Sequence, residues 1–365
     1  MDKQRSAPDL ILLATTIGLL TIGLIMVYSA SAAWATYRFD DAWFFAKRQL
    51  FFGGVGIVLM CLIMRIDYWT WRTYSKGMLV ICFILLVLVL IPGVGLVRGG
   101  ASSWLGVGAF SIQPSEFTKI AMIVFLANYL AIHQKKITSF KRGLLPSLSL
   151  VMLAFGMIML QPDLGTGSVM VGTCIAMIFI SGARIKHFVL LGLLGVAGFV
   201  GLIASAPYRI QRITSFLDPW SDPLGSGFQI IQSLFAIGPG GLLGMGLGES
   251  RQKYFYLPEP QTDFIFAILA EEMGFLGGMI VLALFSILFW RGIRIALGAP
   301  DLFGSFLAVG IVVMVAIQVM INIGVVTGLM PVTGITLPLL SYGGSSLTLM
   351  LMSLGILLNI SRHAR

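Results

Sequence analysis

Charge is what this sequence has least of. Only 11% of its 365 residues are Asp, Glu, Lys or Arg, 58% are hydrophobic, and mean hydropathy is +0.96. An average soluble domain carries roughly 25% charged residues. A chain this poor in charge cannot cover a water-facing surface, which excludes a soluble globular enzyme, a disordered regulator and a nucleic-acid-binding module. Cysteine is nearly absent too. Cys61, Cys82 and Cys174 all lie inside apolar runs, with neither the spacing of a metal site nor that of a disulfide framework. Apolar-polar alternation is also missing, and continuous apolar runs argue for helices rather than barrel strands. The first run is too long for a cleaved signal and is followed by others.

What the sequence does have is ten apolar runs, at 10–30, 49–64, 77–97, 115–132, 143–161, 164–183, 188–206, 264–290, 303–328 and 336–360. About twenty apolar residues cross a bilayer as a helix. The fold class is therefore an all-α polytopic membrane protein with about ten transmembrane helices, forming a single integral membrane domain over 1–365. Of the 24 Lys and Arg residues, fifteen fall on the side of the N-terminus and eight on the other. The positive-inside rule then places both termini in the cytoplasm. Residues 207–263 form one long extracytoplasmic connection between the seventh and eighth spans. It is rich in aromatic and aliphatic residues, and Phe228, Ile231 and Phe235 recur at helical spacing, as in a helix lying in the interface.

Ionisable groups within or beside membrane spans are costly and mark functional candidates. Glu116 and Lys119 are three residues apart and can pair on one helix face; a structural ion pair and a polar cavity wall both fit. Asp163 follows Gln161-Pro162 in a tight turn, where it can cap the next helix or bind a cation or a sugar hydroxyl. Asp263 stands where the long loop enters the eighth span. The helix dipole would hold it ionised and a weak base, whereas partial burial would raise its pKa. Glu271 and Glu272 follow in the same span and require partners or a water-filled cavity. Ser341 and Ser345 flank Gly343-Gly344, which suits either close helix packing or close approach to a ligand oxygen. Arg209, Arg212, Arg251 and Lys253 put positive charge in the long loop, suited to phosphate or to lipid headgroups. The run Gly238 to Gly248 fits no phosphate loop, because no strand precedes it, and is read as a turn-rich segment shaping a cavity.

The chain resembles the SEDS family (shape, elongation, division and sporulation proteins). The resemblance is carried by QPSEFTK at 113–119, QPDLGTG at 161–167, the Arg212, Phe216 and Pro219 element, PEPQTDFIFAILAEE at 258–272, and PVTGITLPLLSYGGSS at 331–346. Stretches such as FDDAWFFAKRQL lean toward the family's sporulation branch. The resemblance implies a peptidoglycan glycosyltransferase that polymerises lipid II at the extracytoplasmic face and works with a class B penicillin-binding protein. In a sporulation protein the membrane would be the forespore outer membrane. It places the family's catalytic aspartate on Asp263, its cavity acid and lysine on Glu116 and Lys119, and its turn acid on Asp163. Many members carry arginine before the tryptophan that is Trp104 here; this chain has Ser103, and Arg98 could substitute. The α-linked pyrophosphate donor and β-1,4 product imply one inverting displacement, with Asp263 taking the proton of the attacking hydroxyl. The leaving pyrophosphate needs positive charge from loop Arg or Lys, or from a divalent cation, Mg or Mn; no organic cofactor is expected. A lipid II flippase and a non-catalytic scaffold for a transpeptidase are the rival functions.

Overall fold

A computed structural model of the protein describes residues 6–98, 101–107, 110–204, 216–225 and 227–364. The helices are α1 (Leu10–Phe39), α2 (Phe44–Ile63), α3 (Trp69–Val89), α4 (Pro114–His133), α5 (Leu145–Met159), α6 (Leu164–Ile180), α7 (Ile185–Ala204), α8 (Phe228–Ile237), α9 (Ile265–Gly298), α10 (Leu302–Val326) and α11 (Gly344–Ser361). Eight are long and apolar enough to cross a membrane: α1 to α5 and α9 to α11. The chain is a helical, multi-pass membrane protein. All ten apolar runs hold a helix, and α8 lies inside the long loop.

Boundaries moved where side-chain chemistry outweighed hydropathy. Helix α3 starts eight residues before its apolar run. Tyr68 and Trp69 both donate to Asp301, at 2.5 and 2.7 Å, and the Tyr68 N–H donates to Asn359 Oδ1 at 2.9 Å. These bonds fix that end of α3 against α10, which Asp301 itself caps by accepting from Gly304 N at 2.8 Å. Helix α11 begins only at Gly344, because 334–343 is irregular, with Pro338 and a left-handed Leu339 at φ 66°. Such a backbone costs of order 1–3 kcal/mol, which the bonds around Ser341 described below offset.

The departure from an all-helical chain is a small antiparallel sheet in the order β1-β2-β3: Leu96–Arg98, Ala101–Val107 and Phe110–Ile112. The third apolar run absorbed β1 because it is as apolar as the helix before it; Pro92 and Gly93 mark the true end. Strand β2 packs on α3 and α4, which places the sheet at the N-terminal end of α4, the Asp263 end of the bundle.

Helices α11, α10 and α4 are the most enclosed. Helix α10 contacts α4, α6, α9 and α11, while α1 packs on α9 and α2 on α11. Helix α8 buries Ile230, Ile231, Ser233 and Ala236 against α9 and α10, and Ser233 Oγ donates to Val326 O at 2.7 Å. The expected stripe of Phe228, Ile231 and Phe235 is split. Phe235 faces away from this contact, is half exposed, and meets the Trp220 ring edge-on. Helix α8 therefore docks on the bundle by small and aliphatic residues.

Candidate active site

The turn before α9 is held by its backbone. Three successive carbonyls accept bonds from distant residues: Gln261 O from Tyr342 N at 2.8 Å, Thr262 O from Ser341 Oγ at 2.6 Å, and Asp263 O from Asn322 Nδ2 at 2.7 Å. Asn322 also donates to Ile335 O at 2.7 Å, and Ser341 Oγ accepts from Leu337 N at 2.8 Å. The turn is thereby tied to α10 and to 335–342. The Asp263 side chain takes no part in this. Among the described residues its carboxylate has no hydrogen bond and no ion pair, although the residue is half-buried. It faces Gly334, where an added Cβ would stand 3.6 Å from Oδ2.

The two opposing effects anticipated for Asp263 are now resolved. It does not cap α9, whose N-cap is Phe264, so it gains no direct bond from the helix N-terminus. Burial pushes its pKa from the usual 3.8 up to about 6, and the nearby charge of Glu259 adds to the rise. A carboxylate titrating near the operating pH, with free lone pairs, has the properties of a general base.

Three other segments converge at this end. Asp163 caps α6, accepting from Thr166 N at 3.0 Å. Its second oxygen accepts from Gln113 Nε2 at 2.8 Å and Ser115 Oγ at 3.3 Å. Asp163 is a helix cap, and the same carboxylate ties the start of α4 to the start of α6. A Cβ on Gly165 would stand 2.8 Å from Thr333 O, so α6 also touches the segment that faces Asp263. Glu116 and Lys119 pair at 2.8 Å, with the lysine buried and the glutamate nearly so. Glu116 lines a narrow cleft with Gln318, Thr336, Ser341 and Ser346. Ser341 thus belongs to both the cleft and the Asp263 turn.

Other candidates lie elsewhere. Lys253 is buried away from any loop surface, paired with Glu272 at 3.1 Å. Arg251 is exposed, and its backbone N–H donates to Glu271 at 2.9 Å. Glu271 meets donors of the loop, and Glu272 meets Lys253 and Ser250 of the loop and Ser29 of α1. Trp104 lies in β2 opposite Leu96. Ser103 beside it is buried, so an arginine there would need a different local packing. Ser345 is buried with its Oγ unpartnered among the described residues, and the neighbouring Ser346 lines the cleft instead. A Cβ on Gly344 would stand 3.0 Å from the Phe52 ring, which gives that glycine a packing role between α11 and α2. Arg209, Arg212 and the side chain of Arg98 lie outside the described residues. Among the described residues no three His, Cys, Asp or Glu side chains gather as a metal site.

Sequence reasoning missed Asn322, which holds Asp263 in place. An uncharged amide in an apolar run was a signal available at residue 322, as at Gln318.

A multi-pass helical bundle with a half-buried carboxylate that has no partner among the described residues, on a turn that shares Ser341 with a polar cleft, defines the class. The family model described as "Cell cycle protein", covering FtsW, RodA and SpoVE, matches residues 10–365. The chain belongs to this family, the SEDS proteins. It is 73% identical over its full length to stage V sporulation protein E of Bacillus subtilis, again over that protein's full length. It is 46% identical over 353 residues to "Probable peptidoglycan glycosyltransferase FtsW" of Trichlorobacter lovleyi, covering 97% of this chain and 93% of that one. Among solved structures, it is similar to a chain of a peptidoglycan synthase complex that coordinates polymerization and crosslinking, with TM-score 0.80 and 32% identity over 98% of each chain. The rod shape determining protein RodA of Thermus thermophilus gives TM-score 0.70 and 29% identity, over 98% of this chain and 97% of that one.

Proposed function

We propose that this chain is a peptidoglycan glycosyltransferase that polymerises lipid II into β-1,4 glycan strands with release of undecaprenyl pyrophosphate. The observation that carries the reading is the Asp263 carboxylate: half-buried, unpartnered, and raised in pKa at the end of the bundle where four family strings meet. Asp263 takes the proton from the acceptor sugar's 4-hydroxyl as that oxygen attacks the donor's anomeric carbon. The carbon inverts, the α-linked pyrophosphate departs as an anion, and no strong acid is needed to release it. The exposed Arg251 supplies charge near the loop. A divalent cation bound by one carboxylate and by the substrate's phosphates fits the donor set, since Mg²⁺ commonly keeps several waters and few protein ligands. It would neutralise the leaving pyrophosphate.

The excess of Lys and Arg on the opposite side supports a cytoplasmic position for both termini and an outer one for Asp263, where polyprenyl tails stay in lipid while sugars react. The partner is a class B penicillin-binding protein, consistent with the likeness to a polymerization and crosslinking complex. The likeness to a sporulation protein supports a place in the forespore outer membrane.

The test is glycan polymerisation from labelled lipid II by the purified protein with its transpeptidase partner, wild type against Asp263→Asn at equal folded yield. Ladders from wild type alone support the reading, and equal ladders overturn the role of Asp263. Lipid II translocation in liposomes without any ladder would favour the flippase.

A further inference from the structure

Helix α9 is broken. Gly274 has φ 64° and ψ −164°, so residues 265–273 and 275–298 are two helices. A break leaves carbonyls on one side and N–H groups on the other without helical partners. The glycine-rich stretch 238–248 supplies them. Met245 N and Gly246 N donate to Glu271 O and Glu272 O, each at 3.0 Å. Phe275 N and Leu276 N donate to Gly241 O and Leu242 O at 2.8 and 3.1 Å. The approach is backbone on backbone: a Cβ on Gly244, at φ 82°, would stand 2.2 Å from Glu272 O, and one on Gly274 would stand 2.3 Å from Gly244 N. The turn-rich run Gly238 to Gly248 is a wedge filling a helix break.

Side chains lock the wedge in place. Glu272 accepts from Ser29 Oγ of α1 at 2.6 Å, Lys253 Nζ at 3.1 Å and Ser250 N at 3.4 Å. Glu271 accepts from Ser250 Oγ at 2.5 Å, Arg251 N at 2.9 Å and Gln252 N at 3.4 Å. Lys253 also donates to Gly248 O and, at 3.4 Å, to Ser29 Oγ. Glu271, Glu272 and Lys253 are 1%, 1% and 5% exposed. The ammonium pairs with Glu272 alone, and Glu271 is satisfied by the Ser250 hydroxyl and two successive backbone N–H groups, as in an anion-binding nest.

We propose that this latch positions the catalytic carboxylate. It staples the short helix 265–273, which Asp263 introduces, to segment 238–253 and, through Gly241 and Leu242, to the helix beyond Gly274, and so fixes where Asp263 stands relative to the cleft. Glu272, Lys253 and Ser29 are positioning residues and touch no reacting atom. The inference rests on Asp263 being the general base.

The test separates the latch from the chemistry. Spin labels on Leu247→Cys and Met279→Cys, both exposed, in a Cys61→Ser background, report the distance across the break in nanodiscs. The intact protein gives one narrow distance. Lys253→Met, Glu272→Gln and Gly274→Ala each broaden it. Per folded molecule, each lowers kcat for lipid II polymerisation by about 10²-fold, the cost of an ångström of misplacement, with KM within about twofold. Ser29→Ala removes one donor from Glu272 and leaves the ion pair, so it serves as the variant that folds if the others do not; it broadens the distance less and costs about tenfold in kcat. A narrow distance with wild-type kcat in Ser29→Ala and Gly274→Ala overturns the proposal. So does a broadened distance with unchanged kcat. If Asp263→Asn proves fully active, the functional reading fails while the distances still report on the latch.

Discussion

Asp263 and Glu272 stand at opposite ends of one short helix, nine residues apart, and their surroundings are opposite. Glu272 is 1% exposed and has a hydroxyl, an ammonium and a backbone N–H around its two oxygens. Asp263 is less buried and has none of these among the described residues. Removing a carboxylate from water costs several kcal/mol. At Glu272 the fold offsets that cost, and at Asp263 it leaves it standing. Burial alone therefore does not mark an acid as chemical or structural; the supply of donors does.

The strongest way to break this comparison is Asp263→Asn. General-base catalysis is worth about 10²–10⁴ in rate, and polymerisation should fall by that factor while the thermal unfolding midpoint holds or rises. A fall in stability matching the fall in rate would put Asp263 in the same class as Glu272. The reciprocal change, Glu272→Gln, breaks a buried pair from one side and leaves Lys253 uncompensated. It should cost about 3–5 kcal/mol of stability, read as a drop in midpoint far larger than any seen at position 263.

Acidity sharpens the same contrast. The folded pKa of Asp263, about 6, lies above its usual 3.8, so the folded state binds more protons than the unfolded state between those values. Stability contributed at this site therefore rises as pH falls through that window and is lowest above pH 6. Asp263→Asn should be more stable than wild type by about 1–2 kcal/mol at pH 7.5 and equal to it near pH 3.5, allowing for the site's partial exposure. Wild-type kcat/KM should fall about tenfold per pH unit below about 6 as the base is protonated. An activity profile flat from pH 7 to 5 would remove Asp263 as the titrating base.

Much of this was legible in the sequence. All ten apolar runs hold a helix, eight of them long and apolar enough to cross a membrane, and they were visible because long apolar helices announce themselves by length and composition. The residues at the Asp263 end were visible because prolines and acids are conspicuous against an apolar background. Three things were hidden. The β1–β3 sheet was masked by the apolarity of Leu96 and Val97, which continued the third run. The break at Gly274 had no local signal, since glycine is common in membrane helices and the partner segment lies about thirty residues earlier. Lys253 looked like a loop cation because sequence shows charge but not what faces it; only the fold brings Glu272 and Ser29 to it. The Gly238–Gly248 run was seen, and its purpose followed only from the carbonyls it meets.

Asp163 lies between the two extremes and gives the finest division. Its oxygens are engaged, but by neutral donors: the Thr166 N–H, the Gln113 amide and the Ser115 hydroxyl. Asparagine at this position can keep the cap through its carbonyl and, with the Gln113 amide turned over to present its oxygen, the tie to α4, so Asp163→Asn should cost less than about 1 kcal/mol, while Asp163→Ala should lose the cap at about 0.5–2 kcal/mol. If Asp163 serves only to join the starts of α4 and α6, its variants should order by stability and by rate in the same way, with Asn near wild type in both. If Asp163→Asn instead keeps its unfolding midpoint and loses polymerisation by tenfold or more, the negative charge itself is being used. Asp163 would then belong with Asp263 as a group acting on substrate or cation, despite having its bonds filled in the resting protein. Unfolding midpoints and lipid II turnover measured on the same two preparations decide between these, because a cap is indifferent to charge at the oxygen that a ligand would read.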